Sequence, residues 1–234
     1  MKINQDVCVR CESCVIYCPV GAIKVSEDKV HIDQDECLEC SACLRSGACK
    51  FNALYQPKLE WPRVLRGHFS DPLGVHPSTG ISGRGTVEMK TNDVTGRFKD
   101  GEVGIALEIG RPGIGTSFVE IEKLTVALAK MVEFEPLNPL TTLIDVKTGK
   151  FKDPAVRKER VLSAIIECKA RFDEGIKILK ALKEKAKDVD TVFTVCVINK
   201  CKDYTIPFKQ RLEAEGFEPR INGKTNVGLG RPLA

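Results

Sequence analysis

The sequence has no apolar run approaching the roughly 18 residues of a bilayer-spanning helix, so no transmembrane helix is expected. It also lacks a concentrated basic stripe. The net charge of the 234 residues is only +4, split between an acidic head and a basic remainder. Residues 1–55 carry six Lys or Arg against eight Asp or Glu, a balance of −2 that leaves +6 for the rest. That distribution argues against nucleic-acid binding. No nucleophile–base pair or paired carboxylates stand out from the charged helix faces. The stretch from Met1 to Asp6 leaves no room for a signal peptide before the first cysteine, which predicts a cytoplasmic protein.

Cysteine is not scarce. There are 11, and eight of them fall in the first 49 residues. In a reducing compartment such clustering points to metal rather than disulfides. The first run is Cys8-x2-Cys11-x2-Cys14-x3-Cys18-Pro19, the second Cys37-x2-Cys40-x2-Cys43-x5-Cys49. The first three cysteines of the two runs are offset by 29 residues and the fourth by 31, and the segments after them, Val20 to Ile23 and Phe51 to Leu54, also correspond. Such an internal repeat signals a doubled structural unit. Zinc sites favour separated Cys-x2-Cys pairs rather than triple runs with a trailing cysteine. A cubane iron–sulfur cluster needs four thiolates, and three at this spacing reach it from one short turn. Between the runs, Ile23 to Val25 and Val30 to Ile32 alternate around Ser26 to Lys29, a hairpin pattern in which His31 is an exposed strand residue.

On these motifs residues 1–55, about a quarter of the chain, resemble a bacterial-type two-[4Fe–4S] ferredoxin. The resemblance implies two clusters with exchanged fourth ligands: Cys8, Cys11, Cys14 and Cys49 on the first, and Cys37, Cys40, Cys43 and Cys18 on the second. The second run departs from the family pattern, with five residues before Cys49 and Lys50 where proline is usual. Gly47 gives the longer loop a place to fold back.

Residues 56–86 are dense in proline and glycine, which predicts a connector without regular structure. It also holds Trp61, Phe69, His68, His76 and several arginines, so it reads as a docking strap, with Trp61 or Arg66 buried against a partner. Residues 87–234 alternate strand and helix patterns, which makes the whole chain α+β: a ferredoxin domain, a connector and an α/β layer domain, with a ferredoxin-like β-α-β sandwich as one form of it. Strands are expected at Val87–Lys90, Val103–Ile109, Val132–Phe134, Thr142–Val146 and Phe217–Ile221, and at Val192–Ile198 as a strand buried on both faces. Helices are expected over Ser117 to Met131, from a cap at Asp153-Pro154 to Arg171, over Ile176 to Lys187, and over Phe208 to Glu215. Gly113, Gly115, Thr116 and Ser117 occupy a strand-to-helix turn that suits an anion, although the full dinucleotide fingerprint is missing because Phe118 stands where a glycine is needed. Cys168 on a helix and Cys196 in a strand read as core, and Cys201 follows that strand; a third metal site from the three is the rival reading.

The combined reading is a non-catalytic electron-transfer subunit of an anaerobic-type oxidoreductase. Its partner would be a flavin- or metal-dependent catalytic subunit, with self-association as a further option. The alternatives are an iron–sulfur enzyme whose body binds an anionic substrate, and a redox-sensing regulatory or assembly protein.

Overall fold

The computed structural model describes residues 1–86, 96–111, 115–200, 202–203 and 205–220. The expected strand at Val87–Lys90, Gly113, Cys201 and the C-terminal glycine-rich tail lie outside them. In the head, β1 (Lys2–Ile3), β2 (Ile23–Val25), β3 (Val30–Ile32), a helical turn α1 (Ala42–Arg45) and β4 (Leu54–Tyr55) follow one another. β1 pairs with β4 and β2 with β3, both antiparallel. The ribbons enclose a small apolar cluster of Met1, Ala22, Ile23, Val30, Ile32 and Leu54, onto which the cysteines pack.

The connector is not irregular throughout. α2 (Val64–Ser70) forms between Pro62 and Pro72, and it buries Leu65 and Phe69 in the main core of the body. Phe69 meets Phe118 edge-on at 5.6 Å, and Phe118 meets Phe151 at 5.3 Å. Burial of each such side chain stabilises by about 1.5–3 kcal/mol. Arg66 is buried too, but against its own chain. Arg66 thus lines a seam within the chain, whereas Trp61 is 52% exposed, its indole N–H donating to Asp153 at 2.6 Å.

The body continues with β5 (Glu102–Ile109), β6 (Thr116–Ser117), α3 (Phe118–Leu128), β7 (Glu133–Phe134), α4 (Pro139–Leu143), β8 (Arg160–Val161), β9 (Ala164–Arg171), α5 (Gly175–Lys185), β10 (Phe193–Ile198) and α6 (Pro207–Ala214). Its sheet runs in the order β10-β5-β9-β7 with every pair antiparallel, and the main elements read β-α-β-β-α-β, the split β-α-β arrangement. Alternate residues Val103, Ile105, Leu107 and Ile109 face the helices. Phe118, Ile121, Leu124 and Leu128 of α3 and Ile176, Leu179 and Leu182 of α5 answer them at helical spacing.

Several expectations change. The cap at Asp153 is real, with its carboxylate accepting from the Ala155 N–H at 2.9 Å, but it starts only a 3-10 turn over Pro154–Lys158. Residues 164–171 are a central strand, because Ile165 and Ile166 are β-branched and both neighbours pair with it. Cys168 is thus a buried strand residue. β10 is an antiparallel edge strand, so Cys196 is exposed rather than core. Pro139–Leu143 form a helix that takes the first two residues of the strand expected at Thr142–Val146, of which only Ile144 makes a β-bridge, to Phe151. Among the described residues no helix is long and apolar enough to cross a membrane.

Candidate metal centre

Each cysteine run bends the same way. Arg10 and Glu12, on either side of Cys11, have φ of 57° and 60°; Glu39 and Ser41, on either side of Cys40, have 56° and 57°. Left-handed backbone costs a non-glycine residue roughly 1–2 kcal/mol, and it persists where surrounding structure enforces it. Two such residues around the middle cysteine curl the loop so that its three thiols share one concavity.

The fourth cysteines match as well. Gly21 and Asn52, each three residues on, have φ of 63° and 52°. The Gly21 N–H donates to the Cys18 carbonyl at 3.2 Å and the Asn52 N–H to that of Cys49 at 3.3 Å. The Ala22 N–H then donates to Cys18 Sγ at 3.0 Å, and the Ala53 N–H to Cys49 Sγ at 3.2 Å. The two extra residues of the second run are absorbed upstream, where α1 ends and Gly47 turns at φ 65°.

Two cavities result. One is lined by Cys8, Cys11, Cys14 and Cys49, with Val9 and Phe51 at its walls. The other is lined by Cys18, Cys37, Cys40 and Cys43, with Leu38 and Ile32. Each fourth thiol comes from the other run. Burial pushes the Cys43 thiol up to about 11, and raises Cys14 and Cys40 as well. A hydrogen bond from the Ser13 side chain lowers exposed Cys11. Four cysteines lining one cavity would bind as thiolates only around a cationic core, which a cluster would supply. The donor set, the N–H groups aimed at sulfur and the apolar walls fit such a group.

The cavities differ in setting. The first opens outward, with Cys11, Val9 and Phe51 exposed. The second has more deeply buried thiols, with Cys37 and Cys43 buried, and charges that spacing did not mark lie around it. Glu39, at 1% exposure, pairs with the Met1 ammonium and with Arg63, whose Nη2 lies at 2.6 Å, and accepts from Gln56 at 3.1 Å. Its place between Cys37 and Cys40 was the sole sequence hint.

The Gly115–Ser117 turn packs against the head. The Gly115 N–H donates to Gly110 and the Phe118 N–H to Glu159, and Thr116 and Ser117 pair with β8. A β-carbon on Gly115 would stand 3.3 Å from Leu38 Cδ1, so the turn is the seat of the second cysteine loop.

The 4Fe-4S binding domain family model matches residues 1–24. The chain is 44% identical over 57 positions to "Ferredoxin 7Fe" of Hydrogenibacillus schlegelii, covering 23% of this chain and 70% of that protein. The chain belongs, through this N-terminal segment, to the ferredoxin family. The ferredoxin segment is an iron–sulfur, electron-transport module that binds [4Fe–4S]. "Pyruvate synthase subunit PorD" of Methanocaldococcus jannaschii is 37% identical over 59 residues, 25% of this chain and 66% of its own. A subunit of the ion-translocating oxidoreductase complex of Methanosarcina acetivorans is 46% identical over 37 residues, 16% of this chain and 14% of its own. The chain thus spans just under two thirds of the first of these two and a small part of the second. No solved structure gives a significant match.

Proposed function

We propose that the chain relays single electrons through two [4Fe–4S] clusters as an electron-transfer subunit of a larger oxidoreductase. In this reading Cys8, Cys11, Cys14 and Cys49 hold the first, and Cys37, Cys40, Cys43 and Cys18 hold the second. The observation that carries it is the sharing of each cavity by three thiols of one run and the fourth of the other. When bound, a cluster supplies a one-electron donor and acceptor whose potential follows charge, hydrogen bonds to sulfur and solvent exposure. The chain's own residues set those levers. Ala22 and Ala53 donate to sulfur, apolar walls exclude water, and the more buried thiols lie toward the body while exposed Cys11 faces outward. The names of the relatives, a pyruvate synthase subunit and a subunit of an oxidoreductase complex, support a catalytic partner; a flavin- or metal-dependent one is part of the proposal.

Anaerobic reconstitution of the full chain tests this. About eight irons per chain are expected, and Cys18→Ser should remove the signal that Cys37→Ser also removes. Cys49→Ser should act with Cys8→Ser. A stable content near four, or loss that follows sequence neighbours instead, would sink the exchanged arrangement. A content near seven would place an incomplete cluster in one cavity.

A further inference from the structure

Arg66, on α2, is 5% exposed and stands where head meets body. Its Nη1 donates to the carbonyls of Gln34 at 3.0 Å, Asp35 at 2.9 Å and Cys37 at 2.8 Å. Its Nε pairs with Glu159, the residue just before β8. Leu38, the residue after Cys37, is itself buried against the Gly115 turn. The segment entering the second cysteine run is therefore shaped from outside the head. The first run is held differently: Arg10 Nη1 reaches the carbonyls of Glu27 and Asp28 at 3.4 Å, exposed and within the head.

We propose that Arg66 is a positioning residue for the second cluster, fixing Cys37 in its cavity and, through Glu159, making that cavity depend on the body. This rests on the reading that Cys18, Cys37, Cys40 and Cys43 hold a cluster. A guanidinium suits the task because its planar fork serves several acceptors at fixed angles and stays charged. A lysine brings one nitrogen, which reaches the carbonyls or the carboxylate but not both. A methionine leaves a buried carboxylate and the carbonyls of Asp35 and Cys37 without this donor, the costly case for buried polar groups, while Gln34 keeps Arg63.

The test uses the full chain, reconstituted anaerobically, as wild type, Arg66→Met, Arg66→Lys and Arg157→Met. Arg157 pairs with Glu122 instead and serves as control. Arg66→Met is expected to hold about four irons where wild type and Arg157→Met hold about eight. The missing paramagnetic signal should be the one that Cys18→Ser removes. Arg66→Lys should regain that signal but release its iron to a chelator about tenfold faster or more, the usual size of an outer-shell loss. Full iron with an unchanged spectrum in Arg66→Met overturns the assignment, as does equal loss from both sites, which marks a general folding role. If Arg66→Met fails to fold, Arg66→Lys decides, and wild-type release from it also overturns the assignment. A wild type with only four irons, indifferent to Cys18→Ser, would instead remove the underlying reading of the site.

Discussion

Glu39 and His76 are both almost completely buried, and they solve the problem of burial in opposite ways. Glu39 is surrounded by two cations and an amide. His76 gives its charge up. Its Nδ1 accepts from the Ser78 N–H at 3.3 Å and meets the Ser78 hydroxyl at 2.9 Å, and its Nε2 has no partner. Burial, then the charge of nearby His68, lowers it to about 4 from the ordinary 6.5. A group depressed on folding binds protons more readily when unfolded. The neutral ring's contribution is therefore complete above about pH 6.5 and is lost as pH falls through about 4. Its size is at most about 3 kcal/mol, from the shift at 1.36 kcal/mol per unit. Denaturant unfolding of wild type and His76→Leu at about pH 7 and about pH 4.5 measures most of it, since the loss begins below the ordinary 6.5 and nears completion at about 4. The stability difference between the two conditions should be smaller in the variant. Equal pH dependence in both would refute the assignment to His76.

At the scale of elements, what is legible in the sequence follows local chemistry. The cysteine runs, the β2–β3 hairpin, β5 and α5 carry their periodicity within a few residues, and the structure keeps each of them in outline. α2 is hidden because Pro62 and Pro72 bracket only two helical turns. Its i, i+4 pairs, Leu65 with Phe69 and Arg66 with Ser70, become meaningful only when a core and a seam exist for them. β9 is disguised because a true cap at Asp153 promises a helix, whereas pairing on both edges settles a strand. The pairing partners lie tens of residues away, so local propensity does not decide the matter. The helix α2 should accordingly be a stabilising element rather than a loop. Phe69→Ala should cost about 3–5 kcal/mol in denaturant unfolding, as for other buried aromatics. Trp61→Ala, at an exposed site a few residues earlier, should cost much less. Similar small losses from both would mean that the strap contributes little to the core.

For the molecule as a whole, the spacing of the cysteines tells which thiols can meet, but not which site has the more buried thiols. That asymmetry comes from contacts between distant segments. The second loop is clasped by Arg66 and Leu38, and Glu36 of the head meets Arg160 of the body at 2.6 Å. The Leu162 N–H donates to Ser70 Oγ at 2.8 Å across the same seam. The first loop faces away, with Cys11 exposed and with Ile16 83% and Phe51 50% exposed nearby. Solvent access governs how fast water, oxygen or a chelator reaches a cluster, because the apolar shell controls entry. Cluster loss from the reconstituted chain should therefore have two phases of equal size. On exposure to air or a chelator, the signal that Cys49→Ser removes should vanish first, and the signal that Cys18→Ser removes should persist. Arg66→Lys should speed only the slow phase, since its contacts reach only the second loop. A single phase, or earlier loss from the site shared by Cys18, Cys37, Cys40 and Cys43, would show that burial against the body gives that site no protection, and with it would go the view of an outward-facing first site and a body-facing second one.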